Sequence, residues 1–222
     1  MIEYLIGAGT IGAAALVSKL LQLEQTQPTL EIHHRPFPLE WREILEKKWP
    51  IYCRLPENLR DQLEQLTLVF LERIEIRGID GLEITDEIRV LTASQACLLL
   101  VNQNTFFPAK LKSVVMRPSA YTATQYDSVG GVQSEREIHV LGQSWESGLV
   151  VLSWDNTRTG ATNAKDGRNL ALHEFAHQLD QADGQADGAP ILGSPEQYDR
   201  WQSVCSKVFT DLQAKVNEGD KT

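Results

Sequence analysis

The apolar positions of this chain change their spacing from block to block, and each spacing predicts a different element. Tyr4 to Leu23 carries almost no charge, with only Lys19 interrupting it near one end. An apolar run of about 20 residues is long enough to span a bilayer, and a lysine near the end of such a run can extend to the interface. The Met-Ile-Glu start lacks the basic residues of a cleaved signal peptide. Residues 1–24 therefore read as an uncleaved membrane-anchor helix. The glycines and alanines make the run only weakly hydrophobic, which leaves a buried or amphipathic helix as the alternative. Residues 25–37 are polar, hold two prolines and read as a linker into a domain over 38–222.

Within that domain the helical period comes first. A short helix is expected from Pro38 to Trp49, stopped by Pro50, and Pro56 opens a longer one with Leu59, Leu63, Leu66, Phe70 and Ile74 on one stripe. After a turn at Gly78 and Gly81, Thr85 is positioned to cap a helix from Asp86 to about Val101. The pattern then becomes strand-like: Lys112 to Met116, Ile138 to Leu141 and, most clearly, Gly148 to Trp154. A polar loop through 163–167 leads to a helix around His173, followed by a Gly/Asp-rich loop from Asp180 to Gly193. The last helix has Ser194 as N-cap, Pro195 at its first position and Gln197 closing a capping box. Its apolar stripe runs through Tyr198, Trp201, Cys205, Phe209, Leu212 and Val216. Helices with a few strands make this an α+β chain.

Composition narrows the function classes. A 222-residue chain with 42% hydrophobic and 23% charged residues can build one core without disulfide staples. The three cysteines, Cys53, Cys97 and Cys205, are widely spaced and read as buried thiols in a reducing compartment. A formal charge of −9 and the absence of a basic stripe exclude direct nucleic-acid binding. Gly7-Ala8-Gly9-Thr10-Ile11-Gly12 matches the dinucleotide fingerprint, with Glu31 downstream. A strand must precede that motif and further βαβ units must follow it; here only six residues precede it and helices follow, so an oxidoreductase is disfavoured.

The chemistry concentrates in His173-Glu174-Phe175-Ala176-His177. Residues four apart share a helix face, so the two imidazoles can reach one metal ion. Zinc suits neutral imidazole and acidifies water. Glu174 sits one position along, where its carboxylate can take a proton from that water and pass it to a leaving amine. Positions 170–172, 175, 176, 178 and 179 are uncharged, and Leu172, Phe175, Ala176 and Leu179 are expected to pack beneath the metal face. Asp183 lies where a compact third ligand could stand, but Asp180 occupies the glycine position that such a turn requires, so an acidic turn is expected there. His33, His34 and His139 read as solvated.

Five segments follow one another in order: Gly81-Leu82-Glu83-Ile84-Thr85, Ala96-Cys97-Leu98-Leu99-Leu100, Gly142-Gln143-Ser144-Trp145, Val151-Leu152-Ser153-Trp154, and His173 through Asp180 followed by Asp183-Gly184. Together they resemble the Mlc titration factor A family of zinc-dependent bacterial peptidases. The resemblance runs from about Trp41 to the C-terminus. It implies a gluzincin-like, zincin-like metallopeptidase domain, with helices packed on a small mixed sheet and the HExxH motif on a central helix. It also implies Zn2+ as cofactor, His173 and His177 as its ligands, Glu174 as catalytic base and an aminopeptidase-type activity on peptides. A strand like Gly148 to Trp154 would line the cleft and pair with extended substrate; Trp145 and Trp154 carry over without a role. The family's third ligand, a glutamate, and a nearby tyrosine suited to an oxyanion lie on a later helix. Only 45 residues follow His177. Glu196, Asp199 and Glu218 do not stand in the matching context, so the domain is read as incomplete at its C-terminus, the alternative being a chain that binds metal poorly.

Two function classes remain. One is a zinc metallopeptidase. The other is a non-catalytic binding protein that sequesters a transcription repressor of sugar uptake, the partner the resemblance implies. Either way the domain is expected to be cytoplasmic, with residues 4–23 available for membrane association.

Overall fold

A computed structural model describes residues 35–217 apart from 104, 130, 131, 141, 145–147 and 185. The expected anchor at 4–23, the glycine motif at 7–12, His33, His34, Trp145 and Glu218 lie outside the described residues. Among those that are described, no helix is long and apolar enough to cross a membrane.

Helix α1 (Leu39–Lys48) is followed directly by α2 (Pro50–Arg54), because Pro50 takes the first-turn position where its missing N–H is no loss. Helix α3 (Glu57–Arg73) and α4 (Asp86–Leu98) come next, separated by β1 (Glu75–Gly78). Thr85 caps α4 as expected, its hydroxyl accepting from the Ile88 amide at 3.3 Å. The central helix is α4: Ile88 and every residue from Val90 to Cys97 are buried, the pattern of a helix enclosed on all sides.

The packed core takes in residues expected to form the linker. Gln65 accepts from the Arg35 amide at 2.9 Å and donates to the Arg35 carbonyl at 2.8 Å. Phe37 is buried edge-on against Trp41. The end of the supposed linker is thus part of the core. Nearby, the buried Glu64 carboxylate accepts two bonds from the Arg42 guanidinium and one from the Tyr52 hydroxyl, joining α1, α2 and α3; a buried charge requires this degree of pairing.

The sheet is four-stranded and mixed, in the order β1–β2–β6–β5. Strands β1, β2 (Ser113–Arg117) and β6 (Leu149–Ser153) are parallel, while β5 (Gly142–Ser144) runs antiparallel to β6. Between β2 and β5 the chain forms a separate hairpin, β3 (Tyr121–Val129) with β4 (Val132–Val140). Strand β1 escapes the sequence pattern because its Glu-Ile-Arg-Gly run has one apolar residue. Trp154 does not end β6 but opens α5 (Trp154–Thr162), whose Asn, Thr and Gly residues conceal it from propensity arguments.

Helix α6 (Leu170–Asp180) carries the motif and packs beside α4 and α5, along β5 and β6. Its Phe175 closes an aromatic cluster with Phe70 and Phe107, at ring-centre separations of 5.5 and 5.4 Å. A short turn of 3-10 helix (Gln181–Asp183) follows, and then α7 (Pro195–Asn217). Gln197 reaches back to the Gly193 amide at 2.7 Å rather than to Ser194. Tyr198, Trp201, Cys205, Phe209 and Leu212 of the predicted stripe on α7 are exposed. Of the cysteines, all free, only Cys97 is buried; Cys53 and Cys205 are exposed, against expectation.

Gly148, which leads into β6, has φ +82° and no room for a side chain: a Cβ would stand 1.8 Å from the Lys110 carbonyl oxygen. Gly148→Ala is expected to cost about 2 kcal/mol or more, seen as a fall in thermal midpoint on the order of 5 °C.

Candidate metal centre

The motif helix begins where it does because Asn169 stops the preceding loop and caps it. The Asn169 side-chain oxygen accepts from the Leu172 amide at 2.9 Å, satisfying one of the free donors of the first turn. Its amide nitrogen donates to the Gln95 side-chain oxygen at 2.8 Å and to the Gly160 carbonyl at 3.0 Å. Gln95, fully buried in α4, donates in turn to the Leu91 and Thr157 carbonyls at 3.1 and 3.3 Å. One polar chain thus fixes the start of α6 to α4 and α5. Sequence reasoning passed over both residues, although Asn immediately before an apolar helix is a recognisable N-cap signal.

Helical spacing divides α6 into two faces. Ala171, Glu174, Phe175 and Gln178 are buried. His173, Ala176, His177 and Asp180 fall on the opposite face and border a cavity of about 490 Å3. The expected packing holds for Phe175, which is buried, and for Leu179, which packs against the core and also borders the cavity, whereas Ala176 is exposed and only lines the cavity.

The His173 and His177 rings meet edge to face with centres 4.6 Å apart, and their Nε2 atoms stand 3.2 Å from each other. Two nitrogens bound to one tetrahedral zinc at the usual bond length are separated by ~3.3 Å, so the pair fits the bite of that ion. Glu174 points another way, into the interval between α6 and β5. There burial pushes its carboxyl above the usual carboxylate range, and the charge of the His173 imidazole pulls it partly back. Among the described residues no donor within hydrogen-bond range is directed at this carboxylate.

Gly142 explains how a carboxylate fits at that edge. A Cβ on Gly142 would come within 2.9 Å of Glu174 Cγ and Oε1, and 2.8 Å of Leu170 Cδ1. Glycine within a strand is the signal for such close approach; here it stands in the Gly-Gln-Ser-Trp motif without having been assigned a role.

The remaining sequence candidates do not converge. Among the described residues, no third His, Cys, Asp or Glu completes a metal-binding group with the two histidines. Asp183 ends the 3-10 turn, and Glu196 and Asp199 are exposed on α7. His139 lies on β4, in the two-stranded hairpin that forms a sheet of its own. Strand β6 also cannot take a substrate at its edge as expected, because β2 and β5 occupy its two sides; the edge beside α6 is β5.

A half-buried helix thus brings two imidazoles to one point, with a desolvated carboxylate one residue along, and the family match makes this a metallopeptidase-like domain. The chain belongs to the glucose-regulated metallo-peptidase M90 family, whose model matches residues 22–222. It is similar to an uncharacterized protein of Synechocystis, 33% identical over 188 residues covering 84% of this chain and 68% of that protein. It is also similar to Mlc titration factor A of Klebsiella pneumoniae, 28% identical over 81% of this chain and 66% of the relative. With Mlc titration factor A of Escherichia coli the identity is 25% over 80% of this chain and 66% of the relative. The chain thus spans about two thirds of the length of these relatives.

The polar chain behind the site yields a sharp expectation. Asn169→Ala removes the cap and strands Gln95, at a cost of about 2–3 kcal/mol in urea unfolding. Asn169→Asp keeps the acceptor for Leu172 but loses both donors, so it is expected not to restore the wild-type midpoint.

Proposed function

We propose that this protein is a zinc-dependent peptidase of aminopeptidase type on a zincin-like fold. His173 and His177 hold the metal and Glu174 is the general base. The observation that carries the reading is the 3.2 Å convergence of the two Nε2 atoms beside the buried Glu174. Zinc, when bound, supplies Lewis acidity that polarises a carbonyl and acidifies water. Glu174 takes the proton from the attacking water and delivers it to the leaving amine. Its raised proton affinity suits both steps, since an acid–base catalyst works best with a pKa closer to the operating pH. The fold holds Phe175 and Asn169 fixed, so the imidazoles and the carboxylate keep their relative aim. Strand β5, the sheet edge next to α6, is the place where an extended peptide can add main-chain hydrogen bonds.

A second reading, capture of a protein partner such as a transcription repressor, is favoured by the name of the Mlc titration factor A relatives. It needs no turnover.

The Glu174→Gln variant separates the two. It is expected to retain zinc and to lower peptide hydrolysis by about 10²–10⁴-fold. The same variant removes a desolvated charge, so thermal stability of the metal-free protein is expected to stay level or rise. If Glu174→Gln hydrolyses peptides as fast as wild type, the assigned base is wrong. If neither protein turns over any peptide while both bind a repressor equally, the second reading replaces the first. Gly142→Ala offers an independent check: it pushes on the Glu174 side chain and on the tip of Leu170 but on neither imidazole, and a displacement of the carboxylate near 1 Å is expected to reduce kcat on the order of 10²-fold with zinc content unchanged.

A further inference from the structure

The cavity beside the histidines has a built wall. Its lining includes Leu99, Leu100, Leu179, Ile191, Leu192 and Trp201, with His173 and His177 at one side. The segment from Gly188 to Leu192 closes it, and that segment is tied at several backbone atoms. The Gly188 amide donates to Asp180 Oδ1 at 2.7 Å, and the Gly188 carbonyl accepts from Trp201 Nε1 at 3.1 Å. The Leu192 amide donates to the Tyr198 hydroxyl at 3.1 Å. Gly188 is therefore held at both its N–H and its C=O, by the motif helix and by α7. Asp180, the only Asp, Glu, Lys or Arg in the lining among the described residues, has one carboxylate oxygen engaged in this bond. A charged substrate side chain entering here would lose water against an apolar surface. An aliphatic or aromatic one would gain from burial.

We propose that this cavity is a side-chain specificity pocket. It accepts a large aliphatic or aromatic residue next to the bond presented to His173 and His177, and Asp180 is the positioning residue that holds its wall. The proposal rests on the peptidase reading for the identity of the ligand, a peptide. The pocket itself is preformed, with the size and apolar lining usual for small-ligand sites.

A set of short peptides differing only at one position (Leu, Phe, Ala, Glu or Lys) tests it in two ways. Hydrolysis is followed with the zinc-loaded wild-type protein, and binding is measured by calorimetry with Glu174→Gln. Leu and Phe peptides are expected to exceed the Glu peptide at least about tenfold in both kcat/KM and affinity. Asp180→Ala releases the wall and is expected to reduce that ratio several-fold. Asp180→Asn, which keeps the oxygen that accepts from Gly188, is expected to restore it. Leu192→Asp, placing a charge in the wall without touching Asp180, is expected to reduce the ratio as well. Hydrolysis without side-chain preference overturns the pocket and leaves the peptidase reading standing. Selective binding without hydrolysis supports the pocket and overturns the peptidase reading. Neither hydrolysis nor binding overturns both.

Discussion

A helix can keep a polar, chemically active face open only if its other face is held tightly enough to resist rotation. In this protein that hold comes from Phe175, fully buried between Phe70 of α3 and Phe107. Burying a phenylalanine is worth about 1.5–3 kcal/mol, and edge-to-face partners add to it. A helix rotated by one residue would move Phe175 out of this cluster and carry His173 and His177 away from their shared focus. The Asn169–Gln95 bond fixes the same helix along its axis. Packing sets the rotation and the cap sets the register, and together they place the two imidazoles.

The same division of faces accounts for the different environments of three neighbouring chemical groups. His173 and His177 look into a cavity, where a ligand can approach. Glu174 is turned about one quarter of the way round the helix, towards β5, and is desolvated there. That position is unfavourable for a carboxylate in isolation, and the structure accommodates it by removing a side chain opposite, at Gly142. Desolvation of a carboxylate costs stability, a trade expected where the group is proposed to serve as an acid–base catalyst. The loop at 188–192 extends the arrangement outward, because Asp180 on the open face of α6 anchors the wall of the cavity those histidines border.

Much of this was readable from residues alone, for identifiable reasons. The pairing of His173 with His177 follows from helical period, which tertiary packing seldom alters in a strongly patterned segment. Thr85, Pro50 and Pro195 mark helix starts by local stereochemistry, which is carried in the sequence. What was missed depends on distant partners. Strand β1 exists because β2 offers it a ladder, and α5 forms despite weak propensity because Thr157, Gly160 and Ala161 are buried. The burial of Phe37 reflects a surface assembled from α1 and α3. Gly142 could be noticed as a motif member, but its purpose appears only when Glu174 stands opposite. The edge role moved from β6 to β5 for the same reason, since an edge is a property of the sheet and not of a strand.

The central claim is that His173 and His177 bind one metal while Glu174 serves as a base without binding it. Zinc titration of the purified wild-type protein, His177→Ala and Glu174→Gln by calorimetry tests this most directly. The account predicts one zinc per chain for wild type and Glu174→Gln with similar affinity, and loss of that site in His177→Ala. Equal zinc binding by His177→Ala and wild type, or loss of the site in Glu174→Gln, would contradict it.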